Sequence, residues 1–197
     1  MTSFTEKKFL IPSLTGISVK TIEEHLKLYA GYVKHANLII EKVAELKKDS
    51  EKNAYALAEV NRRFGFEYNG MRNHEVYFAS LEQGAKELPA SSTLRETIIG
   101  TWGSFDAWLA EFKALAMTRG IGWAMLYYDR KDNQLLHAWI DEQHLGQLQD
   151  CTVVLALDMW EHSFVADYQP SGKKKYVDDF FTNLNWEVIE KNFTDSK

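Results

Sequence analysis

Six histidines, His25, His35, His74, His137, His144 and His162, are the side chains of this 197-residue sequence best suited to hold a transition metal. Taken singly, each reads as a surface or hydrogen-bonded core residue, but three contexts set three of them apart. Asp158 and His162 stand four apart directly after the apolar run Val153-Val154-Leu155-Ala156-Leu157. One helical turn there, or its equivalent, would aim a carboxylate and an imidazole at one point. His25 falls on the inward side of a long apolar-periodic stretch among Ile22, Leu28 and Tyr29, and His74 follows a loop containing Gly70. Three imidazoles and one carboxylate form a mixed nitrogen and oxygen set suited to a borderline or harder transition metal. The single cysteine, Cys151, starts an apolar run and reads as a small buried thiol. The Glu-x-x-His pairs of di-iron bundles are absent, and the zinc-protease pattern His-Glu-x-x-His survives only as the fragments His74-Glu75 and Glu161-His162. A two-histidine, one-carboxylate oxygenase would leave one histidine over.

These residues need rigid elements to bring them together. From Ser18 to Leu46 the residues Ile22, Leu26, Tyr29, Val33, Ala36, Ile40 and Val43 recur every three or four positions, which predicts one long amphipathic helix. A polar turn, 47–53, reverses the chain into a helical stretch over 54–62, and a third follows a loop over 65–70. These pack as an antiparallel hairpin. A second lobe begins near Pro89, with N-cap candidates at Ser91, Ser92 and Thr93 and an apolar stripe from Leu94 to Phe112. The period then changes: 122–128, 134–140 and 152–157 are short β-prone runs, the first two joined by a polar turn at 129–133. Tyr176 to Leu184 returns to helical spacing. The expected class is α+β, with a helical-hairpin domain over 1–88 and, over 89–197, a domain of three antiparallel strands surrounded by helices.

Composition excludes several functions. At 45% hydrophobic, 26% charged and 13% aromatic the chain reads as soluble and globular, and no run of about 18 apolar residues spans a bilayer. A net charge of −5, with no basic block beyond Lys173-Lys174-Lys175, argues against nucleic acid as a partner. One cysteine and an N-terminus without an apolar core predict a reducing cytoplasm.

The run Asp158-Met159-Trp160-Glu161-His162 resembles the Asp-x-Trp-Glu-His signature of the iron/manganese superoxide dismutase family. Asn73-His74, His25 with Tyr32-Val33 and Ala36-Asn37, Gly120-Ile121-Gly122-Trp123 and Asn183-Leu184-Asn185-Trp186 resemble further family motifs in the same order, over about residues 9–193. The resemblance implies one manganese or iron ion held by His25, His74, Asp158, His162 and a solvent molecule, alternating between trivalent and divalent states as it disproportionates superoxide to oxygen and hydrogen peroxide. It also implies supporting roles for Tyr32, Trp123, Trp160 and either Gln143 or His144. A homodimer follows too, in which Glu161 reaches the partner's ligand histidine. The alternative is a catalytically silent metal-binding or dimerising homologue of the same fold.

Departures from the family pattern bear on the surroundings of the metal. The family usually has one more residue between the first ligand and the tyrosine than the seven steps from His25 to Tyr32. Seven residues turn a plain α-helix about 700°, roughly 20° short of two turns, so both still share a face. Tyr29 and Val165 stand where the family commonly has a histidine and a tyrosine that meet across the dimer, and Phe78 replaces a usual tryptophan. The basic residue at the channel mouth is expected from Lys27 or the 173–175 triplet. Gly70, four before His74, offers no side chain, so the donor to the metal's solvent is expected from the sheet, at Gln143 or His144. That donor leans the metal preference towards manganese, with iron or either metal close behind.

Overall fold

The structure, a computed structural model, describes residues 3–197. Helix α1, Val19–Leu46, is capped by Ser18, whose hydroxyl accepts from the Thr21 amide, and it buries Ile22, His25, Tyr29, Val33 and Ala36 along one stripe. It runs to its end as a regular α-helix, the outcome expected from the seven-residue His25 to Tyr32 spacing. Leu28, expected on the inward side, is 42% exposed: it sits about 60° further round the helix than the buried row allows. A short 3-10 turn at Lys47–Asp49 leads to α2, Ala54–Ala79, which packs against α1 as the other arm of the hairpin.

No loop interrupts α2 at 65–70, and the expected break is corrected to one continuous helix. Each glycine in a helix interior costs about 1 kcal/mol relative to alanine. Packing explains Gly70: a Cβ there would lie 2.5 Å from the Tyr32 ring, so the glycine is where the aromatic ring of α1 rests on α2.

The remaining helices are α3 (Thr93–Trp102), α4 (Phe105–Ala116), the single turn α5 (Val165–Tyr168), α6 (Lys173–Thr182) and α7 (Trp186–Thr194). The apolar stripe from Leu94 to Phe112 is split between α3 and α4, because Gly103 closes α3 in the left-handed region at φ 81° and the Ser104 hydroxyl caps α4. Three antiparallel strands, β1 (Gly122–Asp129), β2 (Gln134–Asp141) and β3 (Cys151–Asp158), form a sheet in the order β2-β1-β3. Central β1 is buried over seven of its eight residues, and its register sets Trp123 opposite Asp158. Cys151, expected to be buried, is only half-buried because it opens β3 at the end of the sheet. Among the described residues no helix is long and apolar enough to cross a membrane.

Candidate metal centre

One ring nitrogen from each of His25, His74 and His162 and one oxygen of Asp158 lie within 4.8 Å of one another. Asp158 Oδ2 is the hub, at 3.0 Å from His25 Nε2, 3.2 Å from His162 Nε2 and 3.6 Å from His74 Nε2. Four separate elements deliver them: α1, α2, the end of β3 and the 3-10 turn Glu161–Ser163 that follows it. His25, His74 and Asp158 are fully buried, while the His162 side chain keeps 23% of its exposure.

The hydrogen bonds around these side chains fit a cation between them. His74 Nδ1 donates to the Gly70 carbonyl at 2.6 Å, which leaves Nε2 as a bare lone pair. That nitrogen is buried without a hydrogen-bond partner among the described residues and faces a carboxylate oxygen. Two lone pairs facing each other out of water are unfavourable until a positive ion accepts both. Burial pushes the His74 pKa down to about 3, with His25 adding to the effect, so the imidazole is a neutral donor at ordinary pH. Burial likewise lowers His25, against the pull of Asp158. Burial alone would raise Asp158, but His162 and His25 overcome it and hold the carboxyl well below the usual range.

The unused Asp158 oxygen is fixed from behind. Oδ1 accepts from the Trp160 amide at 2.8 Å, and the Asp158 carbonyl accepts from Tyr176 Oη and Ser163 Oγ, each at 3.0 Å. Trp160 anchors its own indole by donating to the Glu142 carbonyl at 3.1 Å and stacks on His162. Trp123 meets the His74 ring edge-on with centroids 5.0 Å apart, and Phe78 covers His25 at 4.9 Å. Such partners orient ligands and set their basicity.

Gln143 is fully buried and links two of the supporting residues. Trp123 Nε1 can only donate, so the Gln143 atom 2.9 Å from it is Oε1, and Nε2 is left to donate to Tyr32 Oη at 3.0 Å. The Gln143 carbonyl accepts from Asn73 Nδ2 at 2.9 Å, tying the strand end to α2 beside His74. A tight turn makes this possible, with Glu142 in the left-handed region at φ 52° and Asp141 and Leu145 exchanging both backbone hydrogen bonds. His144, one residue on, packs edge-on against Phe66 at 5.8 Å and, among the described residues, makes no hydrogen bond to Tyr32 or to the His3Asp cluster.

A depression of about 330 Å³ opens over Tyr32 and His162. Its rim includes Lys27, His35, Arg63, Phe66 and Glu67. Lys27 thus lines the mouth, whereas Lys173 bonds the Thr118 carbonyl and Lys175 pairs with Asp179, away from it. Arg63 is a rim residue that sequence reasoning did not single out: it lies 3.6 Å over the Phe66 ring and pairs with buried Glu67 at 2.8 Å. Its spacing to Glu67 reads as an ordinary solvated helix pair, and only the α1–α2 packing places it beside Tyr32. The other histidines lie apart, His35 exposed near Glu67 and His137 stacked on Trp102 at 4.5 Å. Tyr29 turns into the core, where its hydroxyl accepts from the Lys7 amide and donates to Glu75, and Val165 is half-buried. Glu161 is exposed beside His162.

A helical hairpin and a three-stranded sheet together enclose a His3Asp cluster that could hold a single metal ion, its four residues drawn from both halves of the chain. Residues 90–192 match the family model described as iron/manganese superoxide dismutases, C-terminal domain. The chain is 37% identical over 183 residues to "Superoxide dismutase [Fe]" of Cupriavidus metallidurans, covering 91% of this chain and 90% of that protein. It is 33% identical to "Superoxide dismutase [Fe]" of Aquifex pyrophilus, covering 92% and 86%. With "Superoxide dismutase [Mn]" of Mycobacterium leprae it shares 32% identity, covering 86% and 80%. The chain belongs to the iron/manganese superoxide dismutase family, and its fold is the α+β arrangement anticipated from the sequence.

Proposed function

We propose that the chain is a superoxide dismutase whose manganese or iron ion is held by His25, His74, Asp158 and His162, with ligands contributed equally by a domain over 1–88 and one over 89–197. The observation that carries this reading is the buried, partnerless His74 Nε2 facing Asp158 Oδ2 inside a cluster of neutral imidazoles. When bound, the metal supplies the one-electron couple that oxidises one superoxide to oxygen and reduces the next to hydrogen peroxide. Three neutral imidazoles and a single carboxylate leave the site net positive with either oxidation state, so the anion is attracted throughout.

The side chains control access and protons. Arg63 and Lys27 stand at the rim through which the anion enters, each also paired with a carboxylate, Glu67 and Glu24. Tyr32 accepts from Gln143 Nε2, leaving its own hydrogen free to face the mouth. Burial first, then the charges of Asp158 and Glu67, raises the Tyr32 pKa, so the phenol holds its proton at neutral pH and yields it only to a strongly basic acceptor such as newly formed peroxide. Solvent in the depression returns it. Trp160 and Phe66 give the depression apolar walls beside His162.

Gly70 offers no side-chain donor from α2, its place being taken by the Tyr32 ring, and the Gln143 amide, held between Trp123 and Tyr32, is the donor on the sheet side. A donor held at both ends favours the oxidised state and lowers the reduction potential, which suits manganese, the intrinsically more oxidising ion. Both metal forms are therefore expected to dismutate superoxide, the manganese form faster. Apoprotein reconstituted separately with each metal and assayed at measured metal content tests this. Activity confined to the iron form would overturn the manganese preference, and two inactive metal-loaded forms would favour a silent metal-binding protein.

The protein is further proposed to act in a reducing cytoplasm as a homodimer. Among the described residues the Glu161 carboxylate makes no hydrogen bond or ion pair, and it stands at the surface beside half-buried His162. In an isologous pair each Glu161 would accept from the partner's ligand imidazole. Light scattering at micromolar concentration should give twice the chain mass, and Glu161→Ala should weaken the dimer and metal retention together. A fully active monomer at that concentration would refute the arrangement.

A further inference from the structure

Two buried tyrosines near the cluster have no part in the chemistry above. Tyr77 is fully buried with its ring 5.0 Å from that of His25. Its hydroxyl lies 3.2 Å from that of Tyr176, which is also fully buried and donates to the Asp158 carbonyl. The Tyr77 hydroxyl therefore donates to Tyr176, its one hydrogen-bond partner among the described residues, where a phenylalanine would fill the same apolar space. Beyond Tyr176 stands half-buried Tyr168, with ring centroids 5.8 Å apart. Tyr168 Oη donates to Asp179 Oδ2 at 2.8 Å, and any Cβ at Gly16, whose φ is 78°, would collide with both groups. The three rings thus lead from a proposed ligand to a tyrosine near the surface, and the last of them alone has a carboxylate to take its proton.

We propose that Tyr77, Tyr176 and Tyr168 form a relay that carries oxidising equivalents out of the centre when hydrogen peroxide, the product of the proposed dismutation, reacts with the reduced iron form. The proposal rests on the metal-site reading above. Reduction of peroxide to two waters takes two electrons and two protons. The reduced ion gives one electron and becomes the trivalent form that dismutation already uses; Tyr168 gives the other through the Tyr176 and Tyr77 rings. One proton leaves the Tyr168 hydroxyl by way of Asp179, the second comes from solvent, and Tyr168 remains as a neutral phenoxyl radical. The radical does not rest on Tyr77 or Tyr176, since among the described residues neither hydroxyl has a carboxylate to take its proton, Tyr77 meeting Tyr176 and Tyr176 meeting the Asp158 carbonyl. A one-electron reductant such as ascorbate, with one proton, returns Tyr168 to the phenol. The relay would protect the ligand histidines and give the protein a weak peroxidase activity.

The test mixes reduced, iron-loaded protein with hydrogen peroxide in the presence of a nitrone spin trap, followed by peptide mass mapping and by electron paramagnetic resonance of freeze-quenched samples. The trap adduct should concentrate on Tyr168, fall several-fold in both Tyr77→Phe and Tyr176→Phe, and move towards residues around the ligands, while Tyr168→Phe should lose the tyrosyl signal. Adduct on Tyr168 at the parental level in both variants, or a parent that holds iron and dismutates yet never marks Tyr168, would overturn the relay alone. A parent that does not retain iron would overturn the site reading and the relay with it.

Discussion

Replacing His74 with alanine is expected to leave a folded protein that retains no metal under dialysis and dismutates superoxide only at the background rate. His74 is fully buried in the C-terminal part of α2, and its Nδ1 is already committed to the Gly70 carbonyl, so Nε2 is the atom available to a metal. Partners that merely orient a ligand cost roughly 10–100-fold in affinity or activity when removed, and deletion of a ligand should exceed that. The change also removes an uncompensated lone pair, so apoprotein stability should fall by less than the several kcal/mol usual for a large-to-small change in a core. Metal analysis alongside circular dichroism separates the two effects. Alanine at His35, which is exposed, should alter neither. A His74→Ala protein with full metal and full activity would show the assignment of the centre to be wrong.

The residues of the His3Asp cluster are legible in the sequence because their signals are local. Asp158 and His162 sit in one short run after an apolar strand, and His25 lies in an apolar row of period 3.6. What could not be read are features set by contacts between distant segments. The glycines of 65–70 carry a local loop signal, yet the reason for Gly70 is the Tyr32 ring on the opposite helix, 38 positions away in sequence. Arg63 looks like half of a solvent-exposed pair until α1 is laid alongside it. The break between α3 and α4 did have a signal, a glycine followed by a serine, but the uninterrupted aromatic stripe across it outweighed that punctuation. Counting along the sequence puts the donor position on Gln143, and a one-residue shift in the turn would hand it to His144, because the register depends on local turn geometry at the left-handed Glu142.

That turn makes the roles of the two residues separable by experiment. Gln143→Ala removes the acceptor of the buried Trp123 indole and the donor to Tyr32 in one step, and it is expected to lower activity by about 10–100-fold with metal still bound. His144→Ala removes a ring that packs on Phe66 and should change activity only a few-fold. Tyr32→Phe keeps the ring against Gly70 and loses the hydroxyl, so the fold and metal should persist while proton delivery weakens and product inhibition grows. Because Gln143 and Tyr32 share one hydrogen bond, their losses should be non-additive: the double variant should cost less than the product of the two single effects. Pulse kinetics on the four proteins, at matched metal content, measure this directly. Independent effects would separate Tyr32 from Gln143 in the mechanism, and a larger loss in His144→Ala than in Gln143→Ala would transfer the role to the histidine. The coupled outcome follows from the indole itself, which can only donate and therefore turns the Gln143 amide so that its NH2 faces the tyrosine.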